Sequence, residues 1–585
     1  MMCLASGAMD ANGFRASVRG RGARLPAASS ITYQGVFSEH SYSTGPPETE
    51  HVVALQSVAG RVQCAAGAAE QSDLWVGCFL KSCRDGQLRD EVPIDIIVVL
   101  DISGSMSGSV GGGSSAIRLD LAKQALLRLL PMLRKGDRFG LATFTTEGEV
   151  VQPLNTVTDF DLEGLSQRIS ALRAGGGTTL AAGLDAAVAI CKDTSDPSGR
   201  RHKRLLFLTD MEDLTPGALD NMVAQEAEQG RFVSFVGIGM GFNAKLAEEV
   251  TKHPGSNYFC ITREQELQKV IVDNFDWNFF PAAFDVEVTQ QSDSFELAAV
   301  FGTPFDTREE TLQADWLPSM HKFYPADFKL QAKALALCVQ RSFGIGLPMP
   351  AMQNVLGFLS SGVSTVTRID TVFPSGVHAD GSVEGGLILF RMKPKAGGTA
   401  EGATNGMVRL TLRYTAGGEE FTRCEDIQVP SPGDALGPLD PALKKGVTLQ
   451  RYVQACRQYL LAADAGDWRH GGGHRGSASF GPRTAMCAEA AAAVAGGPSH
   501  GSKGTDAADG GQGSPPAEGD SADQLKAALA CVTELRAEFE AEPDATEALC
   551  PGVLVDLKNF AEMVHKHAVA AGAISDDTEK FRSGK

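Results

Sequence analysis

The chain has 585 residues, 43% hydrophobic and 21% charged, a balance that suits several folded domains rather than a disordered or membrane-embedded polypeptide. Lys+Arg 53 against Asp+Glu 71 leaves a net charge of -18, which argues against a general nucleic-acid binder, because such proteins carry a basic footprint. No apolar run nears the ~20 residues of a membrane helix, and the 12 cysteines contain no C-x-x-C pair, Cys78 and Cys83 being the closest. Neither a clustered zinc module nor a dense disulfide framework is therefore expected, and a reducing compartment is.

Residues 1–70 show little periodicity and read as a disordered leader. The first thirty are rich in Ala, Ser, Gly and Arg, with Asp10 the only acid, and lack a secretory apolar core. The expected location is cytoplasmic, with an organelle transit peptide as the alternative. Residues 71–92 hold one candidate strand, which could pair with strands that come later in the chain.

From residue 93 the texture changes. Residues 94–100 are apolar apart from Asp95 and end in the unbroken run Ile96 to Leu100, the mark of a strand buried on both faces. Leu119, Ala122, Leu126, Leu129 and Leu133 step by three and four along one helix face, with Pro131 set to shorten its last turn. Residues 138–145 and 149–154 read as a hairpin around Gly148. Helices at 162–172, 180–192, 217–229, 244–252 and 264–275 then alternate with strands at 205–209, 232–238 and 257–261. This alternation implies right-handed crossovers and a doubly wound, mostly parallel α/β sheet over 93–280.

Residues 281–432 carry strand-like stretches separated by turns, so a β-rich, sandwich-like domain is expected. A helical segment at 433–465 follows. Residues 466–522 are rich in Gly, Ala and Ser and read as a low-complexity linker, in which His470 and His474 are incidental. Leu525, Leu529, Val532, Leu535 and Phe539 return to helical spacing, and C-terminal helices fill 523–585. They are expected to pack on the helix at 433–465.

In a doubly wound sheet, ligands gather beyond the carboxyl ends of the strands. Asp101 lies just past the first strand of the α/β block, and Asp210 just past the strand at 205–209. Thr178 and Thr179 follow the glycines 175–177 and open a helix. Asp101, Ser103, Ser105, Thr178 and Asp210 would thus bring two carboxylates and neutral hydroxyls to one rim, with no His or Cys. Hard oxygen donors select a hard cation such as Mg2+, with Mn2+ as the alternative.

D-x-S-x-S after an apolar strand, then G-G-T, then L-T-D after a later strand, together resemble the von Willebrand factor type A domain and its metal-ion-dependent adhesion site. The resemblance covers 93–280. It implies direct metal ligation by Ser103 and Ser105, ligation by Thr178 directly or through water, and action of Asp101 and Asp210 mainly through coordinated waters. It also implies a protein partner whose Asp or Glu carboxylate completes the shell. Two departures stand out: Met211 follows Asp210 where the family often has glycine, and residues 107–115 make a longer loop than usual. Ser107 and Ser109 are assigned to that loop rather than to the metal. The strands on either side of the block resemble intracellular proteins that frame a type A domain with β-strands.

Enzymes fit less well. The run GSMSG has Met106 where a serine nucleophile belongs, no lysine completes a phosphate-binding glycine loop, and His253 follows a helix rather than a strand. A Mg2+-dependent phosphatase built on Asp101 would need a second acid where Ser103 stands. The expectation is a non-enzymatic, divalent-metal-dependent protein-binding module in a soluble intracellular scaffold. Its alternatives are a Mg2+-dependent hydrolase or phosphatase and a metal-free scaffold. The run Arg200 to Arg204 reads as a solvated flank at the opposite rim, with a docking patch for an acidic partner as the sharper alternative.

Overall fold

The computed structural model describes residues 10–19, 25–45, 48–62, 73–89, 92–111, 114–159, 161–192, 201–210, 216–239, 253–303, 366–395, 406–430, 439–465 and 518–574. The N-terminal part begins with helix α1 (Asp10–Arg19) and a short helix α2 (Tyr33–Ser38), which Thr32 caps by accepting the Gly35 N–H. Strands β1 (Ser41–Tyr42), β2 (Ala54–Val62) and β3 (Asp73–Lys81) follow.

The α/β block contains β4 (Ile94–Asp101), the small hairpin β5 (Ser109–Gly111) and β6 (Ser114–Ile117), α3 (Arg118–Leu129), β7 (Arg138–Phe144) and β8 (Gly148–Thr156). It continues through α4 (Leu162–Ala171), α5 (Leu180–Lys192), β9 (His202–Thr209), α6 (Pro216–Glu228), β10 (Arg231–Ile238) and β11 (Asn257–Ile261), and closes with α7 (Glu264–Gln268) and α8 (Phe275–Asn278). The six strands run β11-β10-β9-β4-β7-β8, and all neighbours are parallel except β7 and β8. Every residue of β4 is buried because helices cover both faces. Ile96, Val98 and Leu100 pack with α3 and α4, while Ile97 and Val99 pack with α5 and α6. The chain builds outward from β4 first toward β7 and then toward β9. The reversal leaves a crevice at the carboxyl ends of β4 and β9.

One local detail differs from the sequence reading. The helix expected over 264–275 breaks after Gln268 into a wide turn, where Asn278 Nδ2 donates to Val270 O at 3.0 Å. A side-chain amide thus satisfies a carbonyl that regular helix would have paired. The helix expected at 244–252 lies outside the described residues.

The β-rich part comprises β12 (Ala283–Gln291), β13 (Phe295–Phe301), β14 (Val366–Val372), β15 (Val383–Glu384), β16 (Leu387–Pro394), β17 (Met407–Ala416) and β18 (Glu419–Gln428). All but β15 join β2 and β3 in two four-stranded antiparallel sheets, β14-β12-β17-β18 and β13-β16-β3-β2, and β15 pairs with β1. Alternate residues such as Val408, Leu410 and Leu412 of β17 meet Val76 and Leu80 of β3 in the shared core. The polypeptide therefore enters the sandwich before the α/β block and returns to it afterwards.

Helices α9 (Pro441–Ala465), α10 (Glu518–Ala541), α11 (Pro543–Leu549) and α12 (Val553–Ala570) complete the chain. Leu443 and Tyr452 of α9, Val532 of α10 and Phe560 of α12 share one core with Phe14 of α1 and Phe37 of α2. The expected leader over 1–70 is corrected here for its described parts. Its periodicity was weak because α1 and α2 are short and β2 holds few large apolar side chains. Buried charge supplies what the pattern lacked: Asp556 accepts Arg15 Nε at 2.8 Å and Arg19 Nη2 at 2.6 Å, and Arg15 also pairs with Glu39. Asn12 Nδ2 donates to Cys260 O on β11 at 3.3 Å, so α1 also lines the edge of the α/β sheet. Residues 466–517, with His470 and His474, lie outside the described residues, and 518–522 belong to α10 rather than to a linker.

Candidate functional site

The crevice between β4 and β9 is lined by the loops that follow them. Asp101 ends β4 with its side chain fully buried, and its two carboxylate oxygens are separately occupied. Oδ1 accepts the Ser103 N–H at 2.8 Å, and Oδ2 accepts the Thr209 hydroxyl at 2.7 Å. Thr209 is the last residue of β9, so the adjacent strand fixes this carboxylate directly. Burial pushes the Asp101 carboxyl up, the bonds from Ser103 and Thr209 oppose this, and the neighbouring Asp210 adds to the rise.

After Asp101 the chain makes a tight 3-10 turn at Gly104–Ser107. Met106, fully buried among the residues that pack with α3, anchors the turn. Ser103 and Ser105 flank Gly104 and bring their hydroxyl oxygens within 3.0 Å of each other. The Ser103 side chain is buried and Ser105 is half-buried. Ser107 Oγ instead donates to Gly104 O at 2.7 Å and is exposed, and Ser109 begins β5. The long loop over 107–115 is thus a small hairpin at its described positions, held by the buried Val110.

The glycine run reaches the same rim by backbone bonds. Gly175 N–H donates to Ile102 O at 2.8 Å, and Gly104 N–H donates to Gly176 O at 3.0 Å. Gly176 has φ +80, a conformation that L side chains rarely adopt, so the run can turn beside Gly104. Thr178 follows, half-buried, just before α5. The five residues Asp101, Ser103, Ser105, Thr178 and Asp210 come from three loops at one end of the sheet. Met211 lies outside the described residues. Among the described residues, no three His, Cys, Asp or Glu side chains form a metal-binding cluster; this rim has two carboxylates, and its remaining donors are hydroxyls.

Sequence reasoning missed Arg118. It is the first residue of α3, and its Nη1 lies 2.7 Å from Asp210 Oδ2. Nη1 also donates to Ser105 O at 3.4 Å, and Nε to Ser109 O at 3.2 Å. A signal for it was in the sequence: a cation opens an amphipathic helix, where the helix dipole disfavours positive charge unless an acid answers it.

The solvated flank expected of the basic run is corrected here at Arg201 and Arg204. Arg201 Nε pairs with Asp95 Oδ1 at 2.5 Å, and Arg204 is fully buried. Arg204 donates to Ser234 Oγ at 3.1 Å, Gly255 O at 2.6 Å and Phe279 O at 2.5 Å, between the rings of Phe232 and Phe373. These cations join the sheet to its neighbouring layers. Arg200 lies outside the described residues. Cys78, Cys83, Cys424, Cys456, Cys531 and Cys550 are free thiols, and no described helix is long and apolar enough to cross a membrane.

A family model described as von Willebrand factor type A domain matches residues 96–212. The chain carries a von Willebrand factor type A domain. That domain occupies the α/β block, and the sandwich and C-terminal helices lie outside the match. No curated relative matches the chain. Among solved structures, the chain is similar to a von Willebrand factor type A protein from Catenulispora acidiphila, at 14% identity over 73% of this chain and 84% of that one, with a TM-score of 0.41. It is also similar to the ArnB paralog VWA2 from Sulfolobus acidocaldarius, at 12% identity over 88% of this chain and 99% of that one, with a TM-score of 0.34. A third similar structure is the conserved hypothetical protein BatB from Bacteroides thetaiotaomicron, at 20% identity over 30% of this chain and 98% of that one, with a TM-score of 0.25.

Proposed function

We propose that the type A domain is a non-enzymatic protein-binding module that works through a divalent cation, Mg2+ or Mn2+, at the rim of β4 and β9. The observation that carries the reading is the arrangement around Asp101. A buried carboxylate is fixed by Ser103 N–H and Thr209, and the Ser103 and Ser105 hydroxyls stand together beside it. The donor set is hard oxygen throughout, which fits Mg2+. In this reading Ser103, Ser105 and Thr178 supply hydroxyls to the ion, and Asp101 and Asp210 act through ordered water. A partner's Asp or Glu completes the shell. The sandwich and helices frame the domain, and the free cysteines support an intracellular, cytoplasmic setting.

The observation that favours a metal-free scaffold instead is the Arg118–Asp210 ion pair, which already answers one carboxylate. A Mg2+ titration of the full chain separates the two. Wild type should melt at a higher temperature in Mg2+, EDTA should reverse the gain, and Asp101→Asn should show none. At a hundredfold excess over Kd the gain is about 2.7 kcal/mol. Partners should be retained by wild type in Mg2+ and lost with EDTA or Asp101→Asn. Wild type indifferent to Mg2+ and Mn2+ would overturn the metal reading. Mg2+-dependent release of phosphate from an aryl phosphate, abolished by Asp101→Ala, would favour a phosphatase.

A further inference from the structure

We infer that Arg118 is a resident counter-cation of Asp210 that weakens the rim's hold on a divalent ion and thereby creates its demand for an outside carboxylate. The inference rests on the metal reading above. Asp210 has a fully buried side chain, while the Arg118 side chain is 13% exposed, so the pair is largely withdrawn from water. Nη1 holds Asp210 Oδ2 at 2.7 Å.

The seat for this guanidinium is shaped by two loops. A Cβ on Gly239, which has φ +108 after β10, would meet Arg118 Nε at 2.8 Å. A Cβ on Gly108 would lie 3.8 Å from Arg118 Cζ. The carbonyls of Ser105 and Ser109 also accept from Arg118, so the same side chain ties the hydroxyl-bearing turn to the end of β9.

The consequence is a matter of charge. Asp101 and Asp210 together would neutralise a divalent ion. With Arg118 on Asp210, the negative charge of that carboxylate is already shared with a cation, and less of it reaches the ion. Charged groups in a partly dry site are balanced by nearby opposite charge, and an incoming Asp or Glu supplies it. Arg118 is a positioning residue in this scheme, because it acts through Asp210.

The probe is Mn2+ alone, titrated into the full chain by calorimetry or electron paramagnetic resonance. Wild type, Arg118→Gln and Arg118→Lys are compared, in chloride and in acetate at equal ionic strength. Arg118→Gln should bind Mn2+ about tenfold more tightly than wild type, between the bulk-water and protein-surface limits for one nearby unit charge. Arg118→Lys should stay near wild type. Acetate should tighten Mn2+ binding by wild type more than by Arg118→Gln. Urea unfolding without metal shows that each variant is folded. If Arg118→Gln is unfolded, Gly239→Ala replaces it, since its Cβ displaces the guanidinium and should shift affinity the same way. Equal or weaker binding by the folded variant, or an equal acetate effect, overturns the role of Arg118 alone. If wild type and both variants fail to bind Mn2+, the metal reading itself fails and this inference falls with it.

Discussion

The bond from Thr209 to Asp101 offers a sharp test of how the rim is organised. Thr209→Val keeps the β-branched shape that suits the end of β9 but removes the hydroxyl that donates to Asp101 Oδ2 at 2.7 Å. Both residues are fully buried, so water does not replace the bond. A hydrogen bond to a charged group contributes about 1.5–3 kcal/mol. In a domain of this size each kcal/mol shifts the melting temperature by about 2–4 °C, so a fall of roughly 3–12 °C follows. Thr209 touches other groups as well, so the single variant is not enough. In an Asp101→Asn background the acceptor is neutral, and the same substitution should cost about half as much. Urea unfolding of all four proteins gives a coupling of about 1 kcal/mol. A loss under about 0.5 kcal/mol, or equal losses in both backgrounds, would refute the idea that Thr209 fixes this carboxylate.

Two further predictions concern the frame. His40 is held down to about 3, chiefly by burial and then by Arg15 and Lys445, and burial with Arg204 drives His202 far down as well. Both stay neutral in the fold while the unfolded chain takes up protons near 6.5. Stability is therefore whole above pH 6.5 and is lost as pH falls from there toward 3. Each histidine should cost about 1.4 kcal/mol one pH unit below 6.5. Urea midpoints at pH 7.5 and 5.5 should fall less in His40→Gln than in wild type, and an unchanged fall would count against the assignment. Asp556→Ala should take one carboxylate from Arg15, which keeps Glu39, and loosen α1, at a cost of about 1.5–3 kcal/mol. Hydrogen exchange over residues 10–19 reads this directly, and unchanged protection would show that the apolar contacts of Phe14 suffice.

Much of the α/β block was legible because its signals are local. An apolar run such as Ile96 to Leu100 is satisfied between two helical layers, and the helix faces repeat at three and four residues. The motif residues could also be placed at strand ends, because the ends of strands follow from the same runs. Residues 10–62 were not legible as folded. Their burial depends on Asp556 and on helices more than 400 residues away, and β2 depends on pairing with β3 rather than on its own side chains.

The sequence by itself determined which donors could meet: Asp101, Ser103, Ser105, Thr178 and Asp210, by their spacing from strands. It left open what stands among them. Only the tertiary structure put the Thr209 hydroxyl on Asp101, drew the glycine run against Gly104, and seated Arg118 on Asp210. Those contacts join residues far apart in the chain, and hydrophobic periodicity carries no record of them. Charge shows the same division: the net charge of -18 was plain from composition, whereas the charge at the rim depends on which arginine the fold delivers there.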